Sequence, residues 1–236
     1  MAINNWSSFW KERNTAFDEV MKVSTDFFYS QLIKRYPLKR GASILDYGCG
    51  PGFLLDHLVG TDVVVTAADI NEYRIRQDRS KFPSAEFIEI SEDTAVTFQI
   101  LTEKFAGKLF DQIVLLSIVQ YFRSREDVGD VVGFLGKYLK PGGQLIVADV
   151  LNENTSSARD AIGAFTQCML RGRTIAFVKF VLYLLFSDYR KISKENKLLL
   201  LSSDFITQMA GRHSMSVHEA RGMTPHPTRT NYVFER

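Results

Sequence analysis

Hydrophobic positions along the chain alternate between short apolar runs and longer stretches that show helical spacing or helix-start signals. The short runs are typical of buried strands and cover residues 44–45, 63–68, 85–90, 110–116 and 144–148. The longer stretches predict helices over residues 7–36, 71–80, 125–139, 174–186 and 202–211. This order of strands and helices predicts an α/β fold with a mostly parallel sheet.

The segment ILDYGCGPG, residues 44–52, joins the first strand to the next helical stretch. Its glycines at positions 48, 50 and 52 permit left-handed dihedrals and leave room for a ligand to approach the backbone. A glycine turn between a strand and a helix presents open backbone N–H groups to a nucleotide-like ligand. The spacing differs from GxGxxG, and no Gly-Lys-Ser/Thr follows as in a P-loop. We interpret Cys49, inside the turn, as a small buried filler.

Preceded by Ile-Leu-Asp, this segment resembles the first motif of the class I S-adenosylmethionine (SAM)-dependent methyltransferases. The turn and strand LKPGGQLIVADV is similar to a second part of that family. The resemblance implies a doubly wound, Rossmann-like, seven-stranded and mostly parallel sheet with an antiparallel last strand. It also implies an enzyme that uses SAM as cofactor and releases S-adenosylhomocysteine. The methionine part of SAM would be held by Asp46, Gly48, Cys49 and Gly50.

Asp69 ends the second strand and lies about twenty residues beyond the glycine turn. An acidic residue at this spacing accepts hydrogen bonds from the two ribose hydroxyls of a nucleoside. Ile70 would then lie against one face of the adenine. The alternative is that Asp69 caps the helix predicted over residues 71–80.

The adenine contact departs from the family's pattern. Ser91 stands where many members have an aspartate that accepts from the adenine amino group. Glu92, Asp93 or the backbone would take its place. Ser117 and Gln120, which follow the fourth strand, complete the set that the resemblance implies for the cofactor.

Three residues are candidates for handling the methyl acceptor: His226, Tyr121 and Asp149. Of the four histidines, His226 is predicted to lie in a loop on the ligand side of the sheet, and imidazole titrates in the range that a general base needs. The alternatives are a loop histidine held between two prolines for His226, a core aromatic for Tyr121 and a loop cap for Asp149. No cluster of His, Cys and carboxylates has metal-ligand spacing, so we expect transfer without a metal.

The length and apolar content predict one domain over residues 1–236. Residues 1–40 are predicted to form either an amphipathic helix pair that packs on the sheet or a helical cap over the cofactor. The prediction of a cap rests on a partial resemblance to a segment of the methyltransferase family that often covers SAM, here at Phe9-Trp10, Arg13 and Phe17-Asp18.

Residues 152–201 are longer than a simple connection after the fifth strand. We expect a helical insertion that acts as a lid and builds an apolar acceptor pocket. Its apolar run, residues 174–186, is also consistent with a core helix, a homodimer contact or a membrane-surface helix. The run is too short to span a bilayer.

Composition and local motifs argue against nucleic acid as a partner or substrate. With 29 basic and 27 acidic residues the net charge is +2, which is too balanced for a nucleic-acid binder. The segment SIVQYF after the fourth strand also lacks the Asp/Asn-Pro-Pro-Tyr/Phe and Pro-Cys signatures of enzymes that methylate nucleic-acid bases. Two cysteines make no disulfide framework, and the N-terminus lacks a signal-peptide layout, so we expect a cytoplasmic protein.

These observations predict a SAM-dependent methyltransferase that acts on an oxygen or nitrogen atom of an apolar or aromatic small molecule, for instance in secondary metabolism. SIVQYF, residues 117–122, resembles a segment of the N-methyltransferase domains of peptide synthetases. An enzyme acting on carrier-bound peptide or polyketide intermediates therefore stays open. A regulatory module that binds SAM without chemistry is the other alternative, because it needs the same glycine turn.

Overall fold

The computed structural model describes Trp6, Trp10, Ile192 and residues 15–186 and 195–236. Within these residues the strands are β1 Ser43–Tyr47, β2 Val64–Asp69, β3 Glu86–Glu89, β4 Phe110–Leu116, β5 Leu139–Val150, β6 Ser216–Glu219 and β7 Thr230–Glu235. The helices are α1 Thr15–Arg35, α2 Leu55–Leu58, α3 Glu72–Lys81, α4 Thr94–Lys104, α5 Arg125–Gly136, α6 Ser157–Leu170, α7 Thr174–Phe186 and α8 Ser203–Arg212, with a 3-10 turn at Val119–Tyr121.

The strands form one sheet in the order β3-β2-β1-β4-β5-β7-β6. Neighbouring strands pair in parallel except β7, which pairs antiparallel with β5 and β6. The predicted doubly wound sheet with an antiparallel last strand is therefore confirmed. The strand order reverses between β1 and β4, and sheets of this kind bind ligands at the carboxyl ends of the strands beside such a reversal.

Both faces of the central strands are buried, which explains why their sequences are almost continuously apolar. Leu45, Ile113 and Leu145 are register partners and are fully buried on one face. Their chain neighbours Ile44 and Val114 are fully buried on the opposite face. Each such side chain stabilises the fold by about 1.5–3 kcal/mol relative to an exposed position.

β5 is longer than the predicted strand of residues 144–148. It covers Leu139–Val150, because the Lys-Pro-Gly-Gly segment bulges out of the strand instead of ending it. A Cβ on Gly143 would come within 2.9 Å of the carbonyl oxygens of Lys140 and Phe110. The bulge therefore has no room for a side chain at this position.

α4 was not predicted from the sequence. This helix is capped by the Asp93 side chain, which accepts from Val96 N at 3.0 Å, and it buries Thr97 and Leu101. An apolar residue also lies on its exposed side, since Val96 is 43% exposed. The apolar positions therefore do not fall on one face, and the helical period is hidden.

α1, α6 and α7 pack together in an apolar cluster that contains Val20, Val23, Ala164, Cys168 and Phe177. Residues of all three helices also line the cavity at the carboxyl ends of the strands. The opposite side of α7 is an exposed apolar stripe, formed by Ile175, Val178, Leu182, Leu185 and Phe186.

The predicted cap, residues 1–40, is described from α1 onwards together with Trp6 and Trp10, whereas Phe9 and Arg13 of its motif lie outside the described residues. The predicted lid, residues 152–201, contains α6 and α7, and its residues 187–191 and 193–194 are also outside them. The single domain, the cap and lid roles, the homodimer and the cytoplasmic location stay predictions. In the described part of the chain, no helix is long and apolar enough to cross a bilayer.

Candidate active site

A cavity of about 890 Å³ lies at the carboxyl ends of β1, β2, β4 and β5. Around the glycine turn its wall is polar, and under α1, α6 and α7 it is apolar and aromatic. All but one of the residues predicted from the sequence to contact the cofactor or the acceptor line it: Asp46, Gly48, Cys49, Gly50, Asp69, Ile70, Ser91, Glu92, Ser117, Gln120, Tyr121, Asp149 and His226. The exception is Asp93, which is not part of the cavity wall. Their individual roles stay predictions.

The glycine turn is built as predicted, but its amides are not open. Gly48 and Gly50 have φ values of +83° and +52°. A Cβ on Gly48 would lie 2.7 Å from the Ile118 side chain, whereas a Cβ on Gly50 would meet nothing within 4 Å. The N–H groups of Gly48 and Cys49 donate to Ala68 O at 2.7 and 3.1 Å, and the N–H of Gly50 donates to a carboxylate. The expectation of free amides is therefore wrong for these three residues. The turn instead leaves open space for a ligand next to Gly50.

Asp69 ties the glycine turn to the end of β2. Its Oδ2 accepts from Gly50 N and its Oδ1 from Asn71 N, both at 2.8 Å. Burial raises the pKa of Asp69, and these two hydrogen bonds oppose the rise. Asp69 is not the helix cap, because Asn71 caps α3 by accepting from Arg74 N at 3.2 Å. The carboxylate is thus fixed in the cavity wall, where the ribose role predicted for it stays open.

Asp46 is a buried carboxyl group behind the turn. Burial, followed by the charges of Asp69 and Asp78, raises the pKa of Asp46 to about 8. A ligand with positive charge would supply the counter-charge that this group needs when it is ionised. SAM carries a sulfonium and an ammonium group, so the acidic wall fits it. Burial also raises the pKa of Cys49 well above its usual range, which agrees with an inert filler.

The side of the cavity predicted for adenine is formed by Ile70, Ser91 and Glu92. The hydroxyl of Ser91 accepts from Asp93 N at 3.1 Å. The carboxylate of Asp93 is used as the cap of α4, so Asp93 is removed from the adenine candidates. Ser91 and Glu92 stay predictions.

Two buried polar atoms of the cavity wall, Gln120 Oε1 and Thr224 Oγ1, have no hydrogen-bond partner within the part of the chain that the structure describes. The amide nitrogen of Gln120 donates to Ser117 O at 2.8 Å. Each unpaired buried polar atom costs about 1–3 kcal/mol, so a ligand that provides a partner is favoured at both positions. Thr224 was not predicted from the sequence as a site residue.

His226 and Asp149, two separate candidates in the sequence, form a pair. His226 Nδ1 lies 2.6 Å from Asp149 Oδ1. Burial would raise the pKa of Asp149, but the Arg229 guanidinium and His226, together with the Ser117 hydroxyl, hold it far below its usual range. An ionised carboxylate only accepts hydrogen bonds, so Nδ1 carries the proton, and in the neutral form of the imidazole the lone pair is on Nε2. This arrangement suits a general base whose tautomer is set by a carboxylate.

The backbone around this pair is strained. Ser117 and Asp149, at the carboxyl ends of β4 and β5, have φ values of +57° and +68°. The Ser117 hydroxyl donates to Asp149 Oδ2 at 2.6 Å, and Asp149 N donates to Asn231 Oδ1 at 3.0 Å. A left-handed conformation costs a non-glycine residue about 1–2 kcal/mol and is often found at functional sites.

Two residues bonded to this pair or to its partner, Arg229 and Asp160, were not predicted from the sequence. Arg229 Nη1 donates to Asp149 Oδ2 at 2.6 Å, and its Nε donates to Asp160 Oδ2 at 3.0 Å. Arg229 follows His226 closely in the sequence, and this proximity was the feature that could have identified it as a site residue. Asp160 is 69 residues away in the sequence and belongs to no motif, so nothing local connects the two.

Tyr121 forms part of an aromatic wall. Its ring centroid is 5.2 Å from those of both Trp6 and Trp10, in edge-to-face contacts. Trp10 lies 5.3 Å from Phe17, which in turn lies 5.2 Å from Phe180 of α7. The wall therefore joins residues of the predicted cap and the predicted lid.

Among the described residues, no group of three or more His, Cys, Asp and Glu side chains is arranged to hold a metal ion. Transfer without a metal stays a prediction of the sequence. The pair His226–Asp149 is instead bonded to a guanidinium and a hydroxyl.

A family model described as a methyltransferase domain matches residues 23–179, more than half of the chain. A ubiquinone biosynthesis O-methyltransferase of Caulobacter sp. strain K31 is 32% identical over 124 residues, which cover 52% of this chain and 47% of the relative. The corresponding enzyme of Mesorhizobium japonicum is 32% identical over 110 residues, or 47% of this chain and 41% of the relative. The matched region thus spans about half the length of these curated relatives or less.

Solved structures share the fold. The DesVI protein of Streptomyces venezuelae superposes with a TM-score of 0.60 at 15% identity, covering 95% of this chain and 99% of that one. Magnesium protoporphyrin IX methyltransferase of Synechocystis, crystallised with SAM, superposes with a TM-score of 0.57 at 13% identity, covering 95% and 86%. These likenesses concern the fold alone.

Proposed function

This chain belongs to the SAM-dependent methyltransferase family, and we propose that it transfers the methyl group of SAM to an oxygen or nitrogen atom of an apolar or aromatic small molecule. The observation that carries the proposal is the pairing of His226 with the buried Asp149 carboxylate. Both residues line the same cavity as the glycine turn. A base at this position is useful only if an acceptor enters the same cavity.

The cofactor side of the proposed mechanism rests on two carboxyl groups and a turn. When bound, SAM supplies a methyl group on a sulfonium, which is already activated for in-line displacement. Asp46 provides negative charge for the methionine end, and Asp69 provides fixed acceptors for the ribose. The open space at Gly50 lets the ligand approach the backbone.

The acceptor side requires alignment, deprotonation and exclusion of water. Nε2 of His226 takes the proton from the acceptor, while Asp149 holds Nδ1–H and stabilises the imidazolium that forms. Apolar side chains of α1, α6 and α7, among them Val20, Ala164 and Phe177, exclude water from the acceptor side of the cavity. A base of this kind favours a hydroxyl acceptor, and the matched relatives are named as O-methyltransferases.

The test is methyl transfer from labelled SAM to a matched panel of acceptors. The panel contains a phenol with an apolar tail, the same skeleton with an amine, the same skeleton with a capped hydroxyl, and a holo carrier domain loaded with a peptide. We expect label in the phenol or the amine and none in the capped compound. Transfer to the carrier-bound peptide alone would favour the carrier-dependent enzyme. SAM binding without transfer to any acceptor, also in a metabolite extract, would favour the regulatory module.

A pH dependence of SAM binding follows from Asp46. Its pKa of about 8 means that it is protonated at pH 6 and must lose the proton to pair with a cation. SAM should therefore bind more tightly as the pH rises from 6 to 8, by at most about tenfold per pH unit, and level off above that range. Isothermal titration in buffers of different ionisation enthalpy would detect the released proton.

The matched control is Asp46→Asn, which is uncharged at every pH. The α-amino group of SAM titrates in both experiments, so the comparison removes its contribution. Parallel pH curves for the two proteins would show that Asp46 does not pair with the ligand.

A further inference from the structure

Arg229 connects two elements that are distant in the sequence. Its guanidinium donates to Asp149 at the end of β5 and to Asp160 in α6, at 2.6 and 3.0 Å. The side chains of Asp149 and Asp160 are 2% and 3% exposed, so both carboxylates are shielded from solvent, whereas Arg229 is 24% exposed. Burial would lower the pKa of Arg229, but Asp149 and then Asp160 raise it, and the guanidinium stays charged.

α6 is also fastened to the loop that carries His226. Asp160 Oδ1 accepts from Thr228 N at 3.0 Å and from the Thr228 hydroxyl at 2.7 Å. The same hydroxyl accepts from Ser156 N at 2.9 Å, directly before the first residue of α6. On the other side of His226, a Cβ on Gly163 would come within 2.0 Å of Pro225 O. The first turns of α6 therefore contact the loop on both sides of the histidine.

The charge of Arg229 decides which proton arrangement the pair His226–Asp149 adopts. A carboxylate buried without a cation favours its protonated form. A protonated Asp149 could donate to Nδ1, which would move the imidazole proton to Nε2 and remove the lone pair from the cavity. The guanidinium prevents this, and Asp160 holds the guanidinium in place from the opposite side.

We propose that Arg229 and Asp160 are positioning residues, through which α6 fixes the orientation and the tautomer of His226. The inference rests on the proposed role of His226 as the base. Neither residue needs to touch the acceptor. α6, which belongs to the predicted lid, and His226 then form one preassembled unit. The acceptor therefore enters the site while α6 stays in place.

The test combines nuclear magnetic resonance of ¹⁵N-labelled histidine rings with kinetics on the full chain. Asp160→Asn keeps an oxygen for Thr228 but replaces the charged acceptor of Arg229 Nε with a neutral amide, which lets the guanidinium move away from Asp149. We expect one Nδ1–H tautomer for His226 in the wild type and a mixture in the variant. With the acceptor from the panel, kcat should fall about tenfold or more, as is usual when the partner of a site residue is removed, while the Kd of SAM stays within about twofold.

The matched control is Asp130→Asn, an exposed acid of α5 outside the cavity, which should behave as the wild type. If Asp160→Asn fails to fold, Arg229→Lys replaces it, because lysine keeps the charge but cannot bridge two carboxylates in the same way. A single Nδ1–H tautomer together with wild-type kcat in the variant would overturn the proposal. If the wild type transfers no methyl group, the proposed function fails, and the tautomer comparison still decides on the positioning by Asp160.

Discussion

A His226→Ala protein should lose methyl transfer by about 10²–10⁴-fold in kcat while binding SAM with an affinity within about twofold of the wild type. The reason is that the imidazole acts on the acceptor proton, and the cofactor side of the cavity is formed by other residues. His226 is paired with Asp149 at 2.6 Å, so its removal takes away the group that Asp149 orients. Initial rates with a hydroxyl acceptor and isothermal titration with SAM measure the two quantities.

His218→Ala is the matched control, because His218 is exposed on β6 and bonds to Tyr36 away from the cavity. This variant should keep both kcat and SAM affinity. Replacement of His226 without loss of turnover would show that the acceptor needs no base at this position. Tyr121 would then be the next residue to test, since it also lines the cavity.

Asp69→Ala should weaken the binding of SAM and of S-adenosylhomocysteine by about 100-fold or more. Two hydrogen bonds from the ribose to a carboxylate are lost, and hydrogen bonds to charged groups are worth about 1.5–3 kcal/mol each. The variant also frees Gly50 N and Asn71 N, which both donate to Asp69 at 2.8 Å, so the turn loses its tie to β2. Isothermal titration with both ligands measures the effect.

Asp93→Ala is the control for Asp69, because it removes a carboxylate from the end of the neighbouring strand region but only uncaps α4. It should cost about 1 kcal/mol of stability and leave SAM binding unchanged. Asp69→Asn, which keeps one acceptor oxygen, should fall between alanine and the wild type. Normal affinity of Asp69→Ala would remove the ribose assignment.

Several elements of the fold follow directly from the sequence. β4, Phe110–Leu116, and α7, Thr174–Phe186, have the predicted bounds, because each is a mostly apolar segment whose pattern changes at a polar residue after its end. β5 begins before its predicted start, because the Lys-Pro-Gly-Gly sequence is compatible both with a turn before the strand and with a bulge inside it. Only the pairing with β4 distinguishes them.

The candidate site was predicted in parts. The glycine turn and Asp69 could be located because strand, turn and acidic residue follow one another at short, fixed spacing. The hydrogen bonds of the turn amides could not be predicted, since their acceptors, Ala68 O and the Asp69 carboxylate, belong to the neighbouring strand. Pairing with a second strand is a property of the sheet and leaves no local signal.

The sequence by itself determined the order of the strands and of most helices, the ligand-binding edge of the sheet and most of the residues that gather there, because apolar periodicity and turn chemistry act over a few neighbouring positions. Only the tertiary structure decided that His226, Asp149, Arg229 and Asp160 form one hydrogen-bonded chain. These residues lie up to 80 positions apart. Their contacts depend on how β5, α6 and the last loop pack, and burial then makes each charge depend on the next.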